Sequence, residues 1–380
     1  MIIEGRTKLM VPALSLETLV PPKRPAFYNP LAKLSRDISI GVYKSFTRGR
    51  RKLPSMADCL SGVGARGVRV AAEAPEIADV YMNDINPEAV KLAKTSAKMN
   101  KVLSRCRFTT YDTCRFLIEH SGPETRFDLV DLDPFGSPTI YIDCALRSVL
   151  SGGLLSVTAT DTAVLCGVHP QVALRKYFGR SLKTEYCHET SARLLLGSIA
   201  FQAMRLGLGV YPIFAHTSRH YVRVYVSITA GVIRARDTQK KLGYINHCFG
   251  CGNRVACEEV KEVCGDCGNR TKYAGPLWTH EMHNPRVLTI MERVYDELGM
   301  SNCQHIAEIA LKEYGLPPYY FASDRATHMM KIRSPPRDRI ISALGNFGYQ
   351  ATRTIFDPKG IRTDAPIKDF NRALEIALES

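Results

Sequence analysis

Apolar and polar positions alternate between Ser55 and Thr160 in a way that predicts a parallel α/β sheet. Short apolar runs, typical of buried strands, are separated by longer segments in which apolar residues recur every three to four positions, as on one face of a helix. The predicted strands are Met56–Leu60, Ile77–Met82, Arg107–Thr110, Asp128–Leu132 and Gly153–Thr160. The predicted helices are Ala65–Glu73, Pro87–Met99, Thr113–Glu119 and Pro138–Leu150. Strands joined by crossover helices form a doubly wound sheet.

The pattern changes after this alternation. Glu189–Leu206 predicts another helix, and Val210–His216 with Tyr221–Ile228 predicts an antiparallel hairpin at the edge of the sheet. The charged segment Arg234–Lys241 is interpreted as a linker. A smaller α+β domain with a cysteine cluster follows, so the predicted domains are residues 1–240 and 241–380.

The charge of the chain indicates a polyanionic partner. The 380 residues carry a formal net charge of +14, and 45% of them are hydrophobic, as in globular proteins. Residues 1–55 alone hold eleven Lys and Arg residues against three acidic ones, and Pro21, Pro22, Pro25 and Pro30 keep much of this arm out of regular helix. No run approaches the ~18 consecutive apolar residues of a membrane span, and no secretory segment is evident. We therefore expect a soluble, cytoplasmic protein.

A glycine-rich loop follows the first predicted strand. Gly62, Gly64 and Gly67 form a G-x-G-x-x-G pattern in front of an alanine-rich helix, and Asp84 follows the second strand. Glycines permit a close backbone approach to a ligand at the helix N-terminus, and a carboxylate at the position of Asp84 can bind a ribose diol. This pattern suits NAD and S-adenosylmethionine equally, so the loop alone does not identify the cofactor.

Two further acidic positions favour methyl transfer to an amine. Asp112 follows the third strand, where it can accept the amino protons of an adenine, and the fourth strand ends in Asp133-Pro134-Phe135-Gly136. A carboxylate and a backbone carbonyl that accept the two protons of a base amine localise its lone pair and relieve developing positive charge. A neighbouring aromatic ring can stack on the base. The alternative role of Asp133 is to cap a helix beginning near Ser137, and Asp131 lies on the same face of the strand.

Together these segments resemble the tRNA (guanine-26, N2)-dimethyltransferases. The segments that carry the resemblance are Phe27–Pro30, Arg36–Asp37, Ile38–Ser39, Asp58–Gly67, Asp84, Asp133–Pro138 and Ile361–Pro366. The likeness extends over essentially the whole chain. Since the chain lacks the C-terminal basic extension of some members, it looks like the short archaeal form.

The resemblance implies a Rossmann-like class I methyltransferase domain that transfers one or two methyl groups from S-adenosylmethionine to N2 of guanine 26 of tRNA, with the base swung out of its stack. It implies cofactor contacts by Arg36, Arg66, Asp84, Asp112 and Thr113 in addition to Gly62 and Gly64. It assigns the guanine amine to Asp133 and the carbonyl of Pro134, and the base pocket to Phe27 and Phe135. No obligate protein partner is implied.

Two C-x-x-C-G turns predict a structural zinc site. Cys248, Cys251, Cys264 and Cys267 can present four thiolates to one ion, which suits zinc. An iron–sulfur cluster would also accept four cysteines, and His247 is a weaker alternative ligand, whereas Cys257 is interpreted as a bystander. The twelve cysteines are not expected to form a disulfide framework, and Cys59 and Cys114 are interpreted as buried packing residues.

Three other functions remain open from the residues alone. They are an amino-methyltransferase acting on another nucleic-acid base, an NAD-dependent oxidoreductase, and a non-catalytic zinc protein that binds nucleic acid. The basic stretch from Arg325 to Arg339, which includes Lys331, is a candidate tRNA-binding face of the C-terminal domain, although a charge run is often only a solvated surface.

Overall fold

A computed structural model describes residues 1–18, 21–22, 24–50, 52–218, 220–330 and 333–379, except the side chains of residues 328–330 and 379. Lys23 and Arg51 of the basic arm and Lys331 of the basic stretch lie outside the described residues. The strands are β1 (Ile2–Glu4), β2 (Thr7–Leu9), β3 (Ser55–Asp58), β4 (Asp79–Asn83), β5 (Cys106–Thr109), β6 (Phe127–Leu132), β7 (Val149–Ala159), β8 (Leu208–Ser218), β9 (Tyr221–Ala230), β10 (Leu242–His247), β11 (Arg254–Cys257), β12 (Lys272–Trp278), β13 (Phe321–Ala322), β14 (Ala351–Arg353) and β15 (Gly360–Thr363). The helices are α1 (Leu14–Glu17), α2 (Lys33–Thr47), α3 (Ala65–Glu73), α4 (Pro87–Met99), α5 (Thr113–Glu119), α6 (Ile142–Ser148), α7 (Thr162–Leu165), α8 (Pro170–Tyr177), α9 (Cys187–Arg205), α10 (Val232–Gln239), α11 (Pro285–Leu298), α12 (Ser301–Lys312), α13 (Ser323–Met330), α14 (Arg337–Asn346) and α15 (Ile367–Glu379).

The largest sheet has seven strands in the order β5-β4-β3-β6-β7-β9-β8. Its strands β3 to β7 pair in parallel, which confirms the predicted α/β class. β9 and β8 occupy one edge, where the hairpin was expected. The strand order reverses direction between β3 and β6, and open α/β sheets bind ligands outside the carboxyl ends of their strands at such a switch point.

The sequence signals for α3, α4 and α5 predict their bounds correctly, because each helix begins at a strong local signal. Asn86 accepts a hydrogen bond from the backbone N–H of Glu88 and is followed by Pro87, which suits the first turn of α4. The helix predicted over Pro138–Leu150 is shorter, since α6 covers only Ile142–Ser148. The chain turns after Pro138, and β7 begins at Val149, earlier than the pattern indicated.

Two segments that the sequence pattern did not predict as helices are helical. The prolines of the arm end at Pro30, which opens a short 3₁₀ turn that leads directly into the fifteen-residue helix α2. The interpretation of Arg234–Lys241 as a linker is wrong, because α10 spans most of it. Ala235 and Thr238 of α10 are buried at a spacing of three residues, and the hydroxyl of Thr238 accepts a hydrogen bond from the N–H of Val210. The charged composition of this short amphipathic helix is therefore what made the segment look like a linker in the sequence.

The chain folds into two compact units. Unit 1 consists of residues 1–158, 225–231 and 286–307, and unit 2 of residues 159–224, 232–285 and 308–380. Unit 2 holds the sheets β11-β10-β12 and β13-β15-β14, the latter packed in a core with Phe321, Leu344, Ile361 and Phe370. Each unit is thus built from three separate segments, and a functional boundary at residue 240 stays a prediction.

Among the helices of the described ranges, we find none with the length and apolar character required to cross a bilayer.

Candidate active site and four-cysteine cluster

The glycine loop joins the carboxyl end of β3 to α3. Gly62 and Gly64 have φ values of 53° and 74°, in the left-handed region that favours glycine. A Cβ on Gly67 would lie 2.6 Å from Cγ of Met82, so this glycine lets α3 pack closely on β4. The carboxylate of Asp84 accepts a hydrogen bond of 2.8 Å from the N–H of Gly62. The structure therefore brings the loop and Asp84 together, as the sequence predicted.

Asp112 and Thr113 lie at the start of α5, after the carboxyl end of β5. Asp112 is exposed and caps the helix, because its Oδ1 accepts hydrogen bonds from the N–H groups of Cys114 and Arg115. The buried Thr113 donates its hydroxyl to the carbonyl of Cys59 at 3.4 Å. Both residues thus have local structural roles, and their contact with an adenine stays a prediction.

The acidic turn follows β6 directly. The side chain of Asp133 is 35% exposed, whereas that of Asp131, two positions earlier, is buried. Asp133 does not cap α6, which begins only at Ile142. Phe135 is 55% exposed, and its ring meets that of Phe27 edge to face, with centroids 4.6 Å apart at an interplanar angle of 86°. The two aromatic residues named for the base pocket are therefore in contact, although they are far apart in sequence.

Arg66 links the two carboxylates of this strand. Its Nη2 lies 2.6 Å from Oδ2 of Asp133, and its Nε lies 3.3 Å from Oδ2 of Asp131. From α2, Ser39 accepts a hydrogen bond from Nη1 of Arg66, and Tyr43 donates its hydroxyl to Asp131. Arg66 is 94% buried at the residue level, so these contacts are made away from bulk water, where charge pairs interact strongly. Sequence reasoning assigned Ser39 no role and did not name Tyr43, since nothing in a helix pattern indicates which polar side chains point inward.

Asp58, the last residue of β3, is buried beside this network. Burial and the neighbouring charge of Asp131 raise the pKa of the Asp58 carboxyl to about 8, although the charge of Arg66 opposes them. Its Oδ2 accepts a hydrogen bond of 3.0 Å from the N–H of Gly67, so the protonation state of Asp58 is tied to the geometry of the glycine loop.

The raised pKa of Asp58 leads to a pH-dependent stability. Since the folded-state pKa of about 8 lies above the ordinary value of 3.8, the folded state binds this proton more tightly than the unfolded chain. The free energy of unfolding should then fall as the pH rises from about 4 to about 8. We expect Asp58→Asn to remove this part of the pH dependence. The melting temperature of the variant, relative to that of the unsubstituted protein, should therefore rise by a few degrees as the pH increases to 8. If the melting temperatures of the two proteins change with pH in parallel, the raised pKa of Asp58 is contradicted. Asp143→Asn, on the exposed face of α6, is the control.

Arg36 lies in a buried cluster of charged groups near the N-terminus. Its Nε and Nη2 lie 2.7 and 2.6 Å from the two carboxylate oxygens of Glu4, and Tyr28 donates its hydroxyl to the same carboxylate at 2.8 Å. Arg69 adds a contact of 2.8 Å to Glu4. Although burial opposes it, the guanidinium of Arg36 helps to hold the pKa of Glu4 at about 2. Arg36 therefore ties β1 to α2, and its predicted contact with the donor stays a prediction.

A pair of variants separates these two roles of Arg36. Arg36→Met leaves the Glu4 carboxylate buried without one of its partners and should lower the free energy of unfolding by about 3 kcal/mol. Adding Glu4→Gln removes the uncompensated charge, so the double variant should recover most of the loss in thermal unfolding. Binding of S-adenosylhomocysteine, measured by calorimetry, is expected to recover with stability if Arg36 only anchors the arm. Restored stability with binding still weak would demonstrate a direct contact.

Much of the positive charge of the basic arm is paired within unit 1. The ion pairs are Lys33–Asp37, Arg36–Glu4, Lys44–Glu76, Arg48–Glu297 and Arg50–Asp128. The charge that this segment offers to a polyanion is therefore smaller than its composition indicated.

The four predicted metal ligands come together in unit 2. The Sγ atoms of Cys248, Cys251, Cys264 and Cys267 lie within 4.8 Å of one another, with Cys248 and Cys267 at 3.5 Å and Cys251 and Cys264 at 3.7 Å. The first turn joins β10 to β11, and the second precedes β12. Four thiols at this spacing fit one tetrahedral ion, whose Zn–S bonds are about 2.3 Å long.

The two cysteine turns have matching backbone geometry. In the first, the N–H of Gly252 donates to the carbonyl of Cys248, and in the second the N–H of Gly268 donates to that of Cys264. Both glycines have positive φ, of 80° and 72°. This pseudo-symmetry is typical of paired metal-binding turns. It explains why the sequence spacing predicted the cluster so directly.

The two other candidates near the cluster are outside it. The Nδ1 atom of the buried His247 lies 3.2 Å from the hydroxyl oxygen of Tyr186. Burial together with the charge of Arg254 lowers the pKa of His247 to about 4. The Sγ of Cys257 accepts a hydrogen bond of 2.9 Å from Asn246. Cys257 is a bystander, as predicted.

One expectation about the cysteines is wrong. Cys114, which was expected as a buried packing residue, forms a disulfide with Cys144, with Cα atoms 5.6 Å apart. They lie on α5 and α6, which pack against each other. The two cysteines are thirty residues apart in sequence, and no sequence spacing could show that the helices bring them together. Cys59 is a buried thiol, as expected.

Comparisons with known proteins agree with this geometry. Residues 5–375 match the family model described as TRM, N2,N2-dimethylguanosine tRNA methyltransferase. The chain is 33% identical over 377 residues to the tRNA (guanine(26)-N(2))-dimethyltransferase of Methanothermobacter thermautotrophicus, covering 98% of this chain and 97% of the relative. It is 34% identical to the enzyme of the same name from Methanopyrus kandleri, covering 100% and 97%.

The fold agrees with a solved structure over nearly its full length. That structure is the complex of Trm1 from Pyrococcus horikoshii with S-adenosyl-L-methionine, which superposes with a TM-score of 0.85 at 31% identity and covers 98% of this chain and 99% of that one. These matches favour the methyltransferase interpretation of the glycine loop over the NAD-dependent one, and they confirm the resemblance that the motifs indicated. The chain belongs to the N2,N2-dimethylguanosine tRNA methyltransferase family, the S-adenosylmethionine-dependent tRNA (guanine(26)-N(2))-dimethyltransferases.

Proposed function

We propose that this chain transfers two methyl groups in succession from S-adenosylmethionine to N2 of guanine 26 in tRNA, with the base swung out of its stack. The observation that carries the proposal is the Asp133-Pro134-Phe135 turn, which follows the carboxyl end of β6 next to the glycine loop in a chain of this family. An exocyclic amine needs hydrogen-bond acceptors and a stacking surface, and this turn provides them within three residues.

The residues around the glycine loop fit the methyl donor. Gly62 and Gly64 give the loop its left-handed backbone turns in front of α3, and Asp84 and Asp112 offer carboxylates at the neighbouring strand ends. Ile85, directly after Asp84, is 73% exposed and offers an apolar surface to an adenine ring. S-adenosylmethionine, when bound, supplies an electrophilic methyl group. An exposed apolar residue after an acidic strand end is a signal that sequence reasoning did not use.

Asp133 acts on the acceptor amine. Its carboxylate accepts one N2–H of guanine and the carbonyl of Pro134 accepts the other, which localises the nitrogen lone pair. As the N–C bond forms and the bond from carbon to the sulfonium sulfur breaks, the proton leaves N2 for the carboxylate of Asp133 and then for solvent. The monomethylated amine retains one proton, so the same carboxylate serves the second transfer.

Arg66 is a positioning residue in this proposal. Its contact of 2.6 Å holds one oxygen of Asp133, while Asp131 and Ser39 hold Arg66 itself. A carboxylate fixed by a buried guanidinium reaches the amine in one orientation, which reduces the entropy cost of the transition state. The contact of Arg66 with the donor carboxylate, which the resemblance implies, stays a prediction.

Phe135 is the proposed stacking surface for the flipped base. With the ring centroids 4.6 Å apart at nearly a right angle, Phe27 and Phe135 leave no space for a base between them. We propose that guanine stacks on the exposed face of Phe135, and that Phe27 supports this ring from its edge.

We further propose that the four cysteines bind a structural zinc ion and that unit 2 contributes to tRNA binding. Four thiol ligands leave no open coordination position on a tetrahedral ion, which favours a structural over a catalytic role. A cytoplasmic location, where tRNA is available, remains part of this proposal.

Mass spectrometry of modified nucleosides tests the function. The purified protein is incubated with S-adenosylmethionine and an unmodified tRNA transcript, which is then digested to nucleosides. We expect N2-methylguanosine to appear first and to be replaced by the dimethyl form, whereas a transcript with adenine at position 26 should gain no methyl group. Methylation of another nucleoside would show that guanine 26 is not the substrate. Failure of the protein to bind S-adenosylmethionine would reject the proposal.

A further inference from the structure

We infer that a pocket of unit 2, beside the four-cysteine cluster, binds a second unstacked nucleobase of the tRNA, separate from the guanine that is methylated. The inference rests on the proposed function for its substrate. Part of the pocket is open to solvent, so a planar base can reach its lining residues. Its lining residues include Glu185, Phe249, Gly252, Arg254, Arg325 and Asn371.

Phe249 provides an aromatic surface at the pocket. It lies between Cys248 and Cys251 in the first cysteine turn and is 41% exposed. The ring of the buried His247 packs against it edge to face, with centroids 4.4 Å apart at an interplanar angle of 71°, and so limits its rotation. A ring held in this way can stack on a base with little loss of side-chain entropy, and every base has a face suited to such stacking.

Arg325 provides a second planar group. Its side chain is 48% exposed, and its Nε lies 3.8 Å from Oε2 of Glu185, whose own side chain is 90% buried. That oxygen makes no hydrogen bond within the part of the chain that the structure describes. Glu185 therefore attracts the guanidinium to the pocket without a hydrogen bond to it. Arginine planes and aromatic rings are the groups on which proteins stack unpaired RNA bases.

The floor of the pocket is rigid. Arg254 donates to the carbonyl of Tyr320 at 2.8 Å, pairs with Oε1 of Glu185 at 2.7 Å and lies 4.2 Å from the centroid of Phe321. Since these contacts hold Arg254 in place, it forms a wall rather than a mobile ligand. The half-buried Asn371 adds an amide that can donate to or accept from the edge of a base. A preformed pocket of this kind binds without a large ordering cost.

The charge around the pocket favours an RNA strand as the occupant. The exposed Lys272 places its Nζ 5.6 Å from the centroid of Phe249, and Arg325 adds a second exposed cation. Glu185 is the single carboxylate among the pocket residues, and it is already paired with Arg254. A base between two planar groups would place its flanking phosphates near these cations. The tRNA acted on by this family is the polyanion that such a site suits.

Steady-state kinetics with tRNA transcripts tests the inference. We expect Phe249→Ala to raise the KM for tRNA about 5- to 20-fold, with kcat and the affinity for S-adenosylhomocysteine unchanged. Phe249→Leu, which keeps the apolar volume but removes the ring, should show a similar increase. Tyr314→Ala, at another exposed aromatic of unit 2, is the control and should leave KM unchanged. Metal content and melting temperature are measured for each variant, so that damage to the cysteine turn is recognised.

Salt dependence distinguishes stacking from phosphate contact. The Lys272→Ala variant should reduce the slope of log KM against log salt concentration by about one, whereas Phe249→Ala should shift the line without changing its slope. A photoreactive phenylalanine analogue at position 249 should cross-link to an unpaired nucleotide other than 26. An unchanged KM for both Phe249 variants, or cross-links only to base-paired positions, would overturn the inference. Neither outcome affects the proposed function, which depends on methylation by the unsubstituted protein.

Discussion

Replacing Asp133 by Ala should reduce kcat for methyl transfer to tRNA by about 10³-fold, because the amine of guanine then loses the carboxylate proposed to accept its proton. The affinity for S-adenosylhomocysteine should remain within about twofold, since the glycine loop and Asp84 do not depend on Asp133. The measurements are single-turnover transfer of a labelled methyl group and calorimetric binding of S-adenosylhomocysteine.

The Asp133→Asn variant is the matched control for shape. It keeps a hydrogen-bond acceptor in place but removes the negative charge, so its rate should also fall strongly if proton acceptance is what matters. Loss of donor binding in either variant would contradict the assignment and would place Asp133 in the donor site. Thermal unfolding shows whether the contact with Arg66 also contributes to stability, because both variants remove one partner of that buried guanidinium.

Replacing Cys248 or Cys267 by Ser is the second change with a large expected effect. Each variant should lose the bound metal and lower the free energy of unfolding of unit 2 by more than about 5 kcal/mol, because metal binding supplies folding free energy to a site of this kind. For a unit of this size the melting temperature should fall by at least about 10 °C. Elemental analysis measures the metal, and calorimetry measures the unfolding transition.

Cys257→Ser is the matched control, since Cys257 lies on the same small sheet but outside the cluster. It should retain one metal ion per chain and nearly the full stability. One zinc ion per chain in the unsubstituted protein would support the proposed metal, whereas iron together with visible absorption would indicate an iron–sulfur cluster. A metal-free protein with unchanged melting would contradict a structural metal altogether.

The acidic positions at the strand ends were predictable because a parallel sheet places them by rule. Asp84, Asp112 and Asp133 each follow a strand, and the carboxyl ends of parallel strands lie along one edge of the sheet. The cysteine cluster was predictable for a similar reason, since each C-x-x-C-G turn sets its own geometry over five residues. Local chemistry of this kind is fixed by the order of residues.

The partners of the arginines were not predictable in the same way. Arg36 lies on a helix that the sequence pattern did not predict, and it bonds Glu4, thirty-two residues away. Arg66 contacts Asp131 and Asp133 rather than presenting itself to the solvent. A sequence gives the charge of an arginine, but which carboxylates are near it depends on how helices pack on the sheet.

The sequence by itself determined the fold class, the glycine loop, the acidic strand ends and the two cysteine turns, because each depends on periodicity or on spacing within a few residues. Only the tertiary structure decided that Tyr43 and Ser39 hold the acidic network, that Cys114 joins Cys144, and that Phe249 and Arg325 line one pocket. These contacts join residues from different elements. They form only when burial of the apolar faces brings the elements together, and that packing depends on the whole chain.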